Sequence, residues 1–165
     1  MTRLALIALW VLLWKGNAMA VGFTYNIQLA GYAFDQVDEK GAISHERFVE
    51  EFRKFPWASQ VAQAKAGSSS PTISVRNKSN GTDYWVSAMK HGDGHVYLVG
   101  IVYPKEKPTL FGLGPTKRVR WVEMYVAETE NAVEESSRTF FSSRHDQLMK
   151  ELRGLPKFDE MEASK

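Results

Sequence analysis

PTISVRNKSNGTDYWVSAMKHGDGHVYLVGIVY, residues 71–103, is the stretch whose reading decides the fold. Ile73 and Val75 alternate with polar neighbours from Thr72 to Lys78, the period-two signature of a half-buried strand. Ser79-Asn80-Gly81-Thr82 follows, and Asn-Gly is the strongest short-range hairpin signal. Asp83 to Lys90 reads as a second strand, and His91-Gly92-Asp93-Gly94 as a second turn. His95 to Tyr103 is apolar on both faces, which predicts a strand central in its sheet. Strands joined by tight turns make an antiparallel meander.

Working outward, Arg118 to Ala127 supplies a fourth strand, with Trp121 and Tyr125 on one face and Val122, Met124 and Val126 on the other. Between it and the third strand, Pro104 to Lys117 (PKEKPTLFGLGPTK) reads as a long loop. Upstream, Phe23 to Leu29 alternates like a further strand, although a short helix reaching Tyr32 is open to the same residues. Asp35 to Gly41 is an acidic loop. Ser44 is a helix N-cap, with Phe48, Phe52 and Phe55 on one helical face. Pro56 ends that helix or starts a second one carrying Trp57 and Val61. Glu128 to Leu152 is helical in two pieces, with Ser143-x-x-Asp146 as a capping box for the second. The expectation is an α+β domain over 21–156, a four-stranded antiparallel meander sheet packed against an N-terminal helix pair and a C-terminal helix, with a frayed polar tail over 157–165.

The first 20 residues, MTRLALIALWVLLWKGNAMA, read as a signal peptide. Arg3 begins it, Leu4 to Trp14 is uninterruptedly apolar, and Ala18-Met19-Ala20 suits a signal peptidase. Eleven helical residues rise about 16 Å, short of the roughly 30 Å of a bilayer core. Lys15 keeps an uncleaved inner-membrane anchor open, and a true start at Met19 would make the protein cytoplasmic. Cleavage after Ala20 would remove Arg3 and Lys15, leaving 19 basic against 19 acidic residues. Cysteine is absent, which excludes disulfides, thiol nucleophiles and Cys-based metal sites. Export without cysteine points to a bacterial periplasmic or secreted protein. A net charge of +2 over 165 residues argues against a nucleic-acid partner.

No nucleophile elbow, P-loop or dinucleotide fingerprint is present, and no cofactor is implied. His91, Asp93 and His95 have the side chains of a metal site, but Gly92 and Gly94 make the same stretch a tight turn. The 104–117 stretch combines an apolar tip, Leu110, Phe111 and Leu113, with basic flanks, Lys105, Lys107, Lys117, Arg118 and Arg120. Such a loop suits an acidic protein partner or an anionic membrane surface. Trp85 and Trp121 are candidate interface anchors beside it. The acidic residues Asp35, Asp38, Glu39, Glu46, Glu50 and Glu51 read as a solvated or partner-facing side.

Phe55-Pro56-Trp57, Ser70 to Val75 (SPTISV), Tyr84 to Ser87 (YWVS), Lys117 to Glu123 (KRVRWVE) and Leu155 to Phe158 (LPKF) together resemble small bacterial domains of the polymorphic-toxin immunity type. The resemblance spans about residues 25 to 160 and lies in layout and short words. It implies a non-enzymatic protein that binds and neutralises a protein partner, and it carries over no functional residue. Two other readings stand beside it: a small metal-dependent or hydrolytic periplasmic enzyme, and a peripheral membrane protein.

Overall fold

The turns of the 71–103 stretch build the centre of the sheet. In the computed structural model, which describes residues 22–65, 67–108 and 114–163, β3 (Thr72–Asn77) and β4 (Thr82–His91) form the first hairpin. Asn77 Oδ1 accepts from the Ser79 amide at 3.0 Å, and Asn80 Oδ1 accepts from the Thr82 amide at 3.0 Å. Gly81 takes the positive φ, 70°, that a side chain would resist. Asn77 and Asn80 thus both serve the turn. β5 (Gly94–Pro108) follows through the two-residue Gly92-Asp93 loop, with Gly92 at φ 56°. β6 (Thr116–Ala127) completes the meander.

The sheet is wider than the sequence suggests. Among the described residues it has seven antiparallel strands in the order β2-β1-β3-β4-β5-β6-β7, which corrects the four-stranded expectation. β1 (Phe23–Gln28) pairs β3 on one side and β2 (Asp38–Ala42) on the other. The helix pair is therefore not N-terminal, because two strands precede it. β7 (Lys157–Glu162) lies against β6, where a frayed tail is expected from composition. Both edge strands are short and charged, DEKGA and KFDEME, so neither shows apolar alternation. Such edges resist pairing with other chains. The 104–117 stretch is also not a loop throughout. β5 runs to Pro108 and β6 resumes at Thr116, with Lys105 opposite Val119 and Lys107 opposite Lys117. Pro104 hides this extension in the sequence, since proline gives no donor to a ladder.

Among the described residues, four helices cover one sheet face. In α1 (His45–Lys54) the Ser44 hydroxyl accepts from the Arg47 amide, and Phe48 and Phe52 are wholly buried. α2 (Trp57–Gln63) buries Trp57, whose indole N–H donates to the Phe52 carbonyl at 2.8 Å. α3 (Glu130–Phe141) is capped by Thr129 and buries Val133 and Phe140. α4 (His145–Leu152) buries Leu148, Met149 and Leu152. Its N-cap is Arg144, without a side-chain cap. Ser143 instead has φ 56° and accepts from the Asn77 side-chain amide at 3.2 Å, so the expected capping box does not form. Against these helices the sheet presents Tyr25, Ile27, Ile73, Val75, Tyr84, Val86, Tyr97, Val99, Ile101 and Tyr125. Phe48 meets Tyr84 edge-on, and Phe52 and Trp57 both pack on Tyr97. Each of these large side chains contributes about 2–3 kcal/mol on burial.

Candidate functional site

The sheet face turned away from the helices has no helix over it among the described residues. Strand register arranges it in transverse rows. The first reads Thr24, Arg76, Asp83, Val102, Val122, Met161 from β1 to β7. The second reads Asn26, Ser74, Trp85, Gly100, Met124, Asp159. The third reads Gln28, Thr72, Ser87, Leu98, Val126. The β1–β3 half is polar and the β5–β6 part is apolar, with β4 as one border and β7, which adds Met161 and Asp159, as the other. Leu98, Val122, Met124 and Val126 are half-buried, and Met161 is 46% exposed. Val96 and Val102 on the same face are buried, so the accessible apolar residues are Leu98, Val122, Met124, Val126 and Met161, a cluster of the kind that marks interaction sites.

Trp85 marks the border. A Cβ placed on Gly100 would lie 2.0 Å from Trp85 Cε2 and 2.2 Å from Cζ2. The indole therefore lies directly over its cross-strand glycine, and any larger residue at position 100 would push it off the sheet. Beside it, Asp83 accepts from Arg76 at 2.7 and 3.0 Å and also from Arg120. The Asp83 side chain is 15% exposed, whereas Arg76 and Arg120 are 57% and 50% exposed. One sunken carboxylate thus carries two outward guanidiniums, and the exposed Glu39 lies in the field of Arg76, so charge of both signs is presented here. Hydrogen bonding to Asp83 raises the Arg76 pKa further. A groove of about 380 Å³ adjoins this trio, lined among others by Asn26, Val37, Glu39, Ser74 and Trp85.

The expected partner-binding residues divide between the two sides of the sheet. Trp85 and, by register, Arg118 and Arg120 belong to the open side. Trp121 lies on the helix side, where Lys105 Nζ sits 4.0 Å from its ring centroid and Lys107 Nζ 6.0 Å. Lys107 also pairs with Glu162 at 3.1 Å. Lys117 lies opposite Lys107 at the hairpin end. Leu110, Phe111 and Leu113 fall outside the described residues.

His91, Asp93 and His95 sit at the β4–β5 turn, with His91 and Asp93 exposed. His95 Nε2 lies 3.3 Å from the Tyr97 hydroxyl. Among the described residues no three His, Asp or Glu side chains form a group able to hold a metal ion, this set included. Of the acidic residues, Glu50 and Glu51 pair with Arg47 on α1, which leaves a solvated helix face. A serine and histidine do meet, His45 Nε2 and Ser137 Oγ at 3.2 Å. Ser137 is wholly buried and donates to the Glu134 carbonyl at 2.8 Å, so no substrate reaches it.

Glu123 is the group that sequence reasoning passed over. It is 3% exposed on the helix side of β6. Tyr103 Oη donates to its Oε1 at 2.5 Å, Arg153 donates to Oε1 at 3.2 Å, and Tyr125 Oη donates to Oε2. Burial alone would raise its pKa, but the hydrogen bonds from Tyr103, Tyr125 and Arg153 outweigh burial and bring it down to about 2. Burial and the same carboxylate push the Tyr125 phenol up to about 12. A carboxylate held ionised by three donors is a poor general acid or base. It ties β5, β6 and α4 together. The one sequence signal for it is an acid at an inward strand position between Trp121 and Tyr125. Beside it a groove of about 600 Å³ runs between Tyr103 and α4, lined by His145, Asp146, Met149, Lys150 and Arg153.

Compared with known protein families, curated proteins and solved structures, the chain finds no match.

Proposed function

We propose that this chain is a non-enzymatic binding protein of the inhibitor or immunity kind, which docks a protein partner through the open face of its sheet. The observation that carries the reading is the apolar cluster of Leu98, Val122, Met124, Val126 and Met161 on that face, bordered by Trp85 and the exposed guanidiniums of Arg76 and Arg120. Apolar centre, aromatic anchor and arginine rim are the composition of protein interfaces. In keeping with the Met1 to Ala20 pattern and the lack of cysteine, the site of action in this reading is the bacterial periplasm. No helix among the described residues is long and apolar enough to cross a membrane.

A comparison of affinity captures from host extract at physiological salt tests this. The full chain should retain a protein that Leu98→Asp and Trp85→Ala lose while keeping an unchanged far-UV spectrum. Recovery of no protein, or equal recovery by all three, refutes the reading.

A further inference from the structure

We propose that the cleft between α3 and α4 is a separate binding site, for a short peptide of two or three residues with free termini. It lies in the helix layer, apart from the open sheet face. The cleft is a groove of about 380 Å³, at the lower end of small-molecule sites. Its α3 wall holds Glu135, Arg138 and the buried Ser136 and Thr139. Its α4 wall holds Arg144, Gln147 and Glu151. Their spacing of i, i+3, i+7 keeps these three on one helix face.

Two cations and two carboxylates share this groove, yet they do not neutralise one another. Among the described residues Arg138, Arg144, Glu135 and Glu151 form no ion pair. The nearby Asp146 and Lys150 line a different groove. Chain reversal sorts the signs. Arg138 and Arg144 lie next to the turn that joins α3 to α4, and Glu135 and Glu151 lie further from it. One end of the groove is thus cationic and the other anionic, the pattern that receives a zwitterion by its carboxylate and its ammonium. The gap sets the ligand's length. Glu135 to Arg138 is about 4.5 Å of helix rise, and Arg144 to Glu151 is about 10.5 Å. An extended peptide advances about 3.3–3.6 Å per residue, so two or three residues bridge the ends. Glu151 adds an independent observation. Its Oε1 accepts from Gln147 Nε2 at 2.8 Å, whereas its Oε2 is buried and meets no donor. A buried carboxylate oxygen without a donor is costly. A turn about the terminal side-chain bond, a soft torsion, brings it to an ammonium in the groove. An ammonium has three donors, enough for Glu151 and Glu135 together.

Titration of dialanine and trialanine into the isotope-labelled full-length chain, followed by amide NMR, tests the proposal. The expected result is a saturable shift confined to α3 and α4. Acetylating the peptide's N-terminus or amidating its C-terminus should each weaken binding about fivefold. Arg144→Gln should bind more weakly and become indifferent to amidation, and Glu151→Gln should become indifferent to acetylation, because each cycle removes one charge partner at a time. Arg138→Gln, at an exposed position, repeats the carboxylate-end test without touching Arg144. No saturable shift from either peptide up to about 10 mM overturns the proposal. So do equal binding of free and capped peptides, a capping penalty that persists in the variants, or shifts centred outside the groove. None of these outcomes bears on the open sheet face, which the affinity captures test separately.

Discussion

Replacing Glu123 by glutamine keeps the side-chain shape and removes the charge. Glutamine can still accept from Tyr103 and Arg153 through its oxygen and donate to Tyr125 through its amide, so the variant isolates the electrostatic part. The carboxyl pKa falls from an ordinary 4.5 to about 2 in the folded protein. At 1.36 kcal/mol per unit this corresponds to about 3 kcal/mol as an upper figure. Arg153 is 59% exposed and its share is screened by solvent, so about 2 kcal/mol is expected at pH 7. The sign follows from linkage. The folded pKa lies below the unfolded one, so the stabilisation is complete above about pH 4.5 and is lost as pH falls through about 2. At pH 3 about three-fifths of it is gone. Urea unfolding of wild type and Glu123→Gln at pH 7, 5 and 3 measures this directly. The gap should be about 2 kcal/mol at pH 7 and 5, and under 1 kcal/mol at pH 3. A gap below about 0.5 kcal/mol at pH 7, or one of equal size at pH 7 and 3, would refute the account of Glu123 as a charge held by three donors.

Gly100→Val should drive the Trp85 indole off the sheet. The ring loses on the order of 100 Å² of contact, about 2.5 kcal/mol, offset by about 1 kcal/mol from the better strand former. A red-shifted tryptophan emission with a net loss of 1–2 kcal/mol in urea is expected, and an unshifted spectrum counts against it. Phe48→Ala removes a wholly buried ring between Phe52, Tyr84 and Phe141 and should cost about 3–5 kcal/mol in chemical unfolding. Burial lowers the His45 pKa, so its contribution is present above the ordinary value of 6.5 and is lost as pH falls below it. His45→Gln should therefore flatten the stability profile between pH 7 and 5, and an unchanged slope contradicts this.

The central meander was legible because its signals are local. Asn80-Gly81 and Gly92-Asp93 set turns within a few residues, and the alternation of Ile73, Val75, Tyr84 and Val86 needs no distant partner to be read. Ser44 and the Phe48/Phe52 spacing placed α1 in the same way. The candidate face was legible only in part. Trp85 and Arg120 were singled out, but the cluster of Arg76, Asp83 and Arg120 was not, because their meeting depends on β3, β4 and β6 lying at one level of the sheet. Ser143 looked like a cap because its spacing to Asp146 is right, yet the Asn77 side chain of the β3–β4 hairpin donates to its hydroxyl.

What the chain by itself determined is therefore the α+β class, the meander and the inward faces of its helices. Each of these follows from turn chemistry and from periods of 2 and 3.6 residues. Only the tertiary structure decided the width of the sheet, since β2 and β7 are strands by virtue of the ladders β1 and β6 offer them. It also decided which side of that sheet is open, and it set the charge of Glu123. Those properties arise from groups far apart in sequence, such as Tyr103 and Arg153 around one carboxylate, and no local pattern encodes a long-range meeting.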